Sequence, residues 1–322
     1  MKYNIVKYNP KYQPAWDDLI DRSANGTFLH KRAYMDYHAH RFTDYSLLIF
    51  EEKKLRAVLP AHQVKLQVVA HNGLTYSDII FQKKLKFEHK AGIVKEVLQY
   101  LFEQKIKSLY IKNIPFIYQT VIDQSNDYIY FQTQASIKLI KPFFVMFKDN
   151  GYKPNRNRLK NLKKLDISNY TLVSGLEHLT DFWQIVENNL QRRYQTRPVH
   201  NLKEIQLLMN RFPEQIKFYG LIQNNKMLAG ALVYLVNKAM HFQYIHSVAG
   251  HKERKAVEWL TYRVIQKFSN YNYISFGSSE VSGNNLNSGL VYWKESFNSR
   301  IINQLHFEIQ TAQYKSLNDL LQ

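Results

Sequence analysis

The segment Tyr273-Ile274-Ser275-Phe276-Gly277-Ser278-Ser279 constrains this chain more than any other. A β-prone run ends on a glycine and two serines, and a loop rich in Asn and Ser follows. Gly289-Leu290-Val291-Tyr292-Trp293-Lys294-Glu295-Ser296-Phe297 then reads as a short aromatic helix carrying one lysine. A strand that runs into such a turn and then a helix is how a sheet edge opens into a substrate site.

The 322 residues, 45% of them hydrophobic, can bury a substantial core, and a chain of this length is more often two domains than one. The absence of cysteine excludes disulfides, thiolate catalysis and cysteine-ligated zinc or iron–sulfur centres, and is consistent with a reducing compartment. The start, Met1-Lys2-Tyr3-Asn4-Ile5-Val6-Lys7-Tyr8, has no apolar run of the length that a signal peptide or membrane span needs, and no later segment has one. The expectation is a soluble, cytoplasmic protein.

A formal net charge of +18 predicts attraction to polyanions: nucleic acid, a phosphate-rich cofactor or an anionic membrane face. Charge alone does not choose among them. The densest cluster is Lys153, Arg156, Arg158, Lys160, Lys163 and Lys164, where Leu159, Leu162 and Leu165 recur by threes. That spacing suggests a basic helix docked on the body, with contact to tRNA or polyphosphate as the functional alternative.

A faint internal repeat organises the rest. Ile49-Phe50-Glu51-Glu52-Lys53-Lys54-Leu55-Arg56-Ala57 and Leu221-Ile222-Gln223-Asn224-Asn225-Lys226-Met227-Leu228-Ala229 share a strand end, a polar turn and a restarting strand, so both read as hairpins. In the second half, Leu179, Phe182, Trp183, Val186 and Leu190 line one helix face. Ile205, Leu208, Met209 and Phe212 line the next, with Asn201 as cap and Pro213 as stop.

Asn237-Lys238 then makes a tight turn into a strand from Met240 to Val248, followed by a helix burying Val257, Leu260, Val264 and Phe268. The first half runs similarly, with Val94, Val97, Leu98, Leu101 and Phe102 on a helix before the strand Ser108-Leu109-Tyr110-Ile111. The reading is two copies of one α/β (α+β) unit, residues 1–150 and 151–322, each a mixed, largely antiparallel sheet flanked by helices.

This order of elements resembles the acyltransferase fold of the GNAT superfamily in tandem. Residues 273–300 sharpen the resemblance to its FemAB-like branch: an apolar-x-Phe-Gly-Ser strand, a polar loop, then Gly-Leu-x-x-x-Lys-x-x-Phe, with Lys294 and Phe297 in the matching places. The branch often has Asp where this chain has Ser275, and Gly where it has Asn298, which implies a turn that accepts Asn in a left-handed conformation. The resemblance implies transfer of an acyl or aminoacyl group to an amine by the C-terminal domain. The N-terminal copy is then structural or acceptor-binding.

Such chemistry needs an activated carbonyl, a neutral nucleophile and a donor aimed at the oxygen that becomes negative. Lys294 is the candidate donor, His246 the proton acceptor and Glu280 a general base acting through water. Tyr244 and His246 share a strand face with Phe242 by alternation. Ser278, Ser279 and Asn284 offer polar contacts to substrate, and Arg193, Tyr194 and Arg197 an anionic-acceptor grip. In these enzymes a splayed central strand holds the donor arm through unpaired backbone groups.

The junction Ser247-Val248-Ala249-Gly250-His251-Lys252-Glu253-Arg254-Lys255 lacks the usual paired-glycine coenzyme A turn. Gly250, Lys252, Arg254 and Lys255 are still candidates to hold the donor's phosphates. The resemblance implies acyl-CoA or aminoacyl-tRNA as the donor, with no metal expected. The acceptor is a small molecule or an envelope or surface-polysaccharide precursor, with tRNA a possible partner and the oligomeric state open. The chain has no Walker loop, His-Glu-x-x-His or Gly-x-Ser-x-Gly motif. The alternative is a non-catalytic module that binds RNA or another polyanion on the same tandem fold.

Overall fold

The first strands and helices are β1 (Tyr3–Lys7), α1 (Gln13–Asp21), α2 (Arg32–Met35), β2 (Leu47–Glu51), β3 (Lys54–Leu59), β4 (His62–Val64), β5 (Gln67–Val69), β6 (Ile80–Phe81), α3 (Phe87–Glu103), β7 (Ser108–Lys112) and α4 (Ser125–Gln132). There follow β8 (Ser136–Phe147), α5 (Arg156–Lys163), β9 (Thr171–Ser174), α6 (Leu179–Tyr194), α7 (Leu202–Arg211), β10 (Ile216–Gln223), β11 (Lys226–Val236) and β12 (Ala239–Ser247). The chain ends with α8 (His251–Lys267), β13 (Tyr273–Ser275), α9 (Ser288–Glu295) and β14 (Arg300–Gln310). This computed structural model describes residues 2–279, 285–318 and 320, and at 150 and 251–254 the backbone alone.

The chain forms two units, Met1–Lys141 with Asn303–Gln322, and Pro142–Ile302. The division thus falls earlier than residue 150, and the C-terminal segment joins the first unit. Strand pairing is the reason: β14 runs antiparallel to β7 from His306↔Lys112 to Gln310↔Ser108.

Each unit is built around one parallel strand pair. In the first, β5 and β7 run parallel, flanked by β4 and β14, and a second sheet has the order β1-β2-β3-β6. In the second, the order is β8-β13-β12-β11-β10-β9, with β12 and β13 parallel and every other pair antiparallel.

The repeat anticipated from sequence is present down to its irregularities. The hairpins β2–β3 and β10–β11 close on two-residue turns, and each carries a register shift one step before them, at Ile49/Phe50 and at Leu221/Ile222. Asn224 and Asn225 both have positive φ, as such turns require, and Asn237 does the same at the turn into β12. Asn201 caps α7 through a reciprocal exchange with Glu204, at 2.9 Å in each direction.

The helix stripes face the core as expected, with one exception. Phe102 is 45% exposed and rests on Tyr314, because residues adjacent on a helix sit about 100° apart and Leu101 already takes the inward position.

In the first unit the space beyond the parallel pair is closed. Past the last β5–β7 register, Val69↔Tyr110, the chain turns through His71 and returns, so that Ser77 and Lys112 exchange backbone hydrogen bonds of 2.9 and 3.2 Å. Lys112 Nζ donates to the carbonyls of His71 and Leu74 at 3.0 and 2.6 Å. Burial pushes this lysine down to about 7.

Around this plug lie five histidines, His30, His38, His62, His71 and His306, each no more than 4% exposed and each held well below the ordinary imidazole range, chiefly by burial. Both ring nitrogens of His38 are buried without a partner.

These imidazoles are neutral in the fold, so the unfolded chain binds more protons once the pH falls below about 6.5. The stability they permit is present above that value and is lost as the pH drops, through about 4 for His30, His38 and His62 and lower still for His306 and His71. For His38, pushed to about 4, the loss amounts to at most about 3 kcal/mol. Urea titrations at a series of pH values will find the midpoint falling through this window, and His38→Leu will reduce the slope without lowering stability at pH 7.

Candidate active site

In the second unit the corresponding parallel pair stays open. β12 and β13 pair only at Ala239↔Tyr273, Met240↔Ile274 and His241↔Ser275, yet β12 continues to Ser247 against β11 on its other side. From Phe242 onward that edge of β12 has no strand partner among the described residues. β13 diverges because Gly277 takes a left-handed turn, φ 64°, which a residue without a side chain adopts at little cost.

Ser275 fixes the point of divergence. Its hydroxyl lies 3.2 Å from His241 Nδ1 and accepts the Gly277 amide at 3.2 Å. Where the resemblance places an acid, this chain therefore has a buried hydroxyl that ties the two strands together.

β12 also carries a bulge. Leu232 faces Tyr244 and Val233 faces Phe242, which leaves Gln243 unmatched. The extra residue breaks the alternation expected for this strand. Phe242 stacks on Phe276 at 5.3 Å and joins the core with Val257 and Leu260. Tyr244 turns to Trp183, at 5.1 Å, and its hydroxyl lies 2.9 Å from His200 Nδ1. Phe242 and Tyr244 thus contact different layers, contrary to simple period-two alternation. Gln243 Oε1 is buried, and its side chain engages the His241 ring.

The fork opens into a cavity of about 600 Å³. Its walls include Gln243, Tyr244, His246, Arg193, Trp293 and Lys294. Lys294 enters from α9, whose start is fixed by Asn287: the side chain of Asn287 caps the Leu290 amide at 2.9 Å, and its own amide donates to the Ser279 carbonyl at 2.9 Å.

Lys294 is 6% exposed, and its Nζ donates to the carbonyls of Gly277 and Ser278 at 3.1 and 2.6 Å and lies 5.2 Å from the Phe144 ring centre. Burial brings it down to about 7. An ammonium has three N–H groups, and among the described residues only two are taken, both by carbonyls, which leaves one for a ligand.

His246 is on the cavity wall beside Phe182, and burial, assisted by Arg193, lowers it to about 4, so its ring is neutral at pH 7. Arg193 and Tyr194, at the end of α6, line the same cavity, whereas Arg197 is exposed and lies off it. Ser278 and Ser279 are not on the cavity wall. Their carbonyls hold Lys294 and Asn287, which places them in the scaffold.

Gly250 precedes α8 with φ 145°, and Lys255 lines a second cavity of about 310 Å³ between α5, α8 and α9. Glu280 and Asn284 lie outside the described residues, as do the side chains of Lys252 and Arg254. The basic segment forms α5, docked through Leu162, with most of its cations exposed and Arg158 turned inward. Sequence reasoning missed Gln243, Glu258 and the inward turn of Arg158. Among the described residues no group of His, Asp or Glu side chains is arranged to hold a metal ion.

A Cβ at Gly277 would sit 3.2 Å from His241 Cε1 and force a left-handed conformation on an L side chain. Gly277→Ala is expected to lower unfolding free energy by about 1–2 kcal/mol, read from denaturant titration.

No protein-family model matches the sequence, and no curated protein matches it. Solved structures do. The crystal structure of FemX superposes with a TM-score of 0.66 at 9% identity, over 98% of this chain and 99% of that one. L-PGS from Bacillus licheniformis gives 0.59 at 10% identity, over 96% and 94%. A tandem GNAT protein from the clavulanic acid biosynthesis pathway gives 0.53 at 9% identity, over 96% and 100%. Identities this low speak to architecture alone, and on that evidence the chain has the fold shared by FemX, L-PGS and the tandem GNAT protein.

Proposed function

We propose that this protein is an N-acyltransferase whose second unit moves an acyl or aminoacyl group from an activated donor, a coenzyme A thioester or an aminoacyl-tRNA ester, to an amine. The observation that carries the reading is Lys294, buried at the mouth of the β12–β13 fork with one N–H left to give. The donor's carbonyl enters the fork, and the free edge of β12 supplies backbone groups for its arm. The acceptor amine attacks the carbonyl carbon; the C–N bond forms and the C–S or C–O bond breaks. The thiol or ribose hydroxyl leaves with a proton.

Lys294 stabilises the oxyanion formed between these steps. Its depressed value supports a second use, since a lysine near 7 also delivers a proton to the leaving group at neutral pH. His246 accepts the proton released by the amine, directly or through water, once the negative charge of the bound donor offsets the burial and the Arg193 charge that hold its ring near 4. Arg193 and Tyr194 hold the acceptor, and an anionic one fits the arginine. Gly250 and Lys255, with Lys252 and Arg254, serve the phosphates of the donor. The first unit, its own fork plugged, acts as scaffold or acceptor platform.

Both donor types are cytoplasmic, and we place the protein there. Envelope precursors are proposed acceptors, in keeping with the FemX and L-PGS likeness in fold.

Native mass spectrometry of the purified protein should find coenzyme A, acyl-CoA or tRNA bound. With the donor so identified, Lys294→Ala is expected to lower kcat on the order of 10²–10³-fold while donor affinity stays within a few-fold. An unchanged kcat sinks the catalytic reading and favours a polyanion-binding protein on the same fold.

A further inference from the structure

Arg158 sits in a run of exposed cations but is itself 7% exposed. Its amide is capped by the Asn155 side chain at 2.9 Å, which fixes the first turn of α5. The guanidinium then makes three kinds of contact. Nε and Nη2 both donate to Ser296 Oγ, at 3.0 and 2.8 Å; Nη1 pairs with Glu258 of α8; and the group lies 5.3 Å from the Phe297 ring centre.

Ser296 is the residue that ends α9, two positions beyond Lys294. Its hydroxyl donates to the Trp293 carbonyl, and its own carbonyl accepts the Asn155 amide at 2.9 Å. Asn298, left-handed at φ 61°, adds a side-chain bond of 2.7 Å to the Lys153 carbonyl. The lysine is therefore anchored at both ends. Gly277 and Ser278 hold the nitrogen, and α5 holds the helix end from which the side chain departs. Arg158 and Glu258 also line both the fork cavity and the smaller cavity beside it.

We infer that Arg158 is a positioning residue: through Ser296 it fixes the C-terminal turn of α9 and so sets the depth at which Lys294 enters the fork. A guanidinium suits the task because its planar fork meets a hydroxyl and a carboxylate at once, which an ammonium on a flexible stem does not. The inference rests on the proposed role of Lys294 for its functional meaning, but the coupling between the two side chains is testable without any acyl transfer.

Competitive labelling with acetic anhydride across pH, read by mass spectrometry of the Lys294 peptide, reports the midpoint at which this amine loses its proton. In the native protein the midpoint is expected near 7. In Ser296→Ala it should rise by a unit or more toward the ordinary lysine range, a tenfold fall in neutral amine at a given pH below the midpoint. Ser296→Thr, which keeps the hydroxyl, should restore the native midpoint.

Arg158→Lys should shift the midpoint as Ser296→Ala does. Arg158→Met combined with Glu258→Gln, which leaves no unpaired buried charge, should do the same. If Ser296→Ala keeps its circular dichroism and its Lys294 midpoint, the inference is overturned, whether or not the Arg158 variants fold. A shifted midpoint in a protein that transfers no acyl group would uphold the coupling and reject the proposed function instead.

Discussion

The second unit depends on a hydrogen-bond ladder that stops early. Three residue pairs hold β12 to β13, and one buried serine hydroxyl marks the last of them. Had the pairing run the full length of β12, the polar backbone there would be satisfied within the sheet and no cleft would exist. Because it stops, the strand edge, the bulge at Gln243 and the cation on α9 come to one cavity. None of the three is unusual alone. Their convergence follows from the left-handed turn at Gly277, which carries the chain away and supplies the carbonyl that receives Lys294.

The electrostatics of the fork are those of a charge kept in a dry place by dipoles. Among the described residues no carboxylate pairs with Lys294; two carbonyl oxygens and an aromatic face compensate it incompletely, so burial dominates and its proton is easily lost. His241 beside it is pushed down to about 3 by burial and by that lysine, so the ring stays neutral. The ion pair on the cavity wall, Arg158 with Glu258, reaches the end of α9 through Ser296.

Features set by neighbouring residues were legible in the sequence. The hairpin turns, the Asn201 cap, the helix stripes, the left-handed Asn298 and the position of Lys294 all depend on patterns a few residues long. Features set by distant pairing were not. The bulge at Gln243 is defined against β11, the return of residues 303–322 to the first unit is defined against β7, and Arg158 is buried only because Ser296 and Glu258 meet it. In the sequence Ser278 and Ser279 stand out by their hydroxyls, whereas the structure uses their carbonyls, which every residue type possesses. The identity of a side chain carries no signal for a role played by the backbone.

The plug in the first unit shows how little separates a wall from a cleft in this architecture. A short excursion from His71 to Ser77 supplies the missing ladder partner for Lys112 and offers its carbonyls to that lysine's amine, the same kind of bond that anchors Lys294 in the other copy. A duplicated chain can thus keep one mouth and seal the other by spending a single loop, leaving the sealed half free to diverge as support while its twin retains the vestibule.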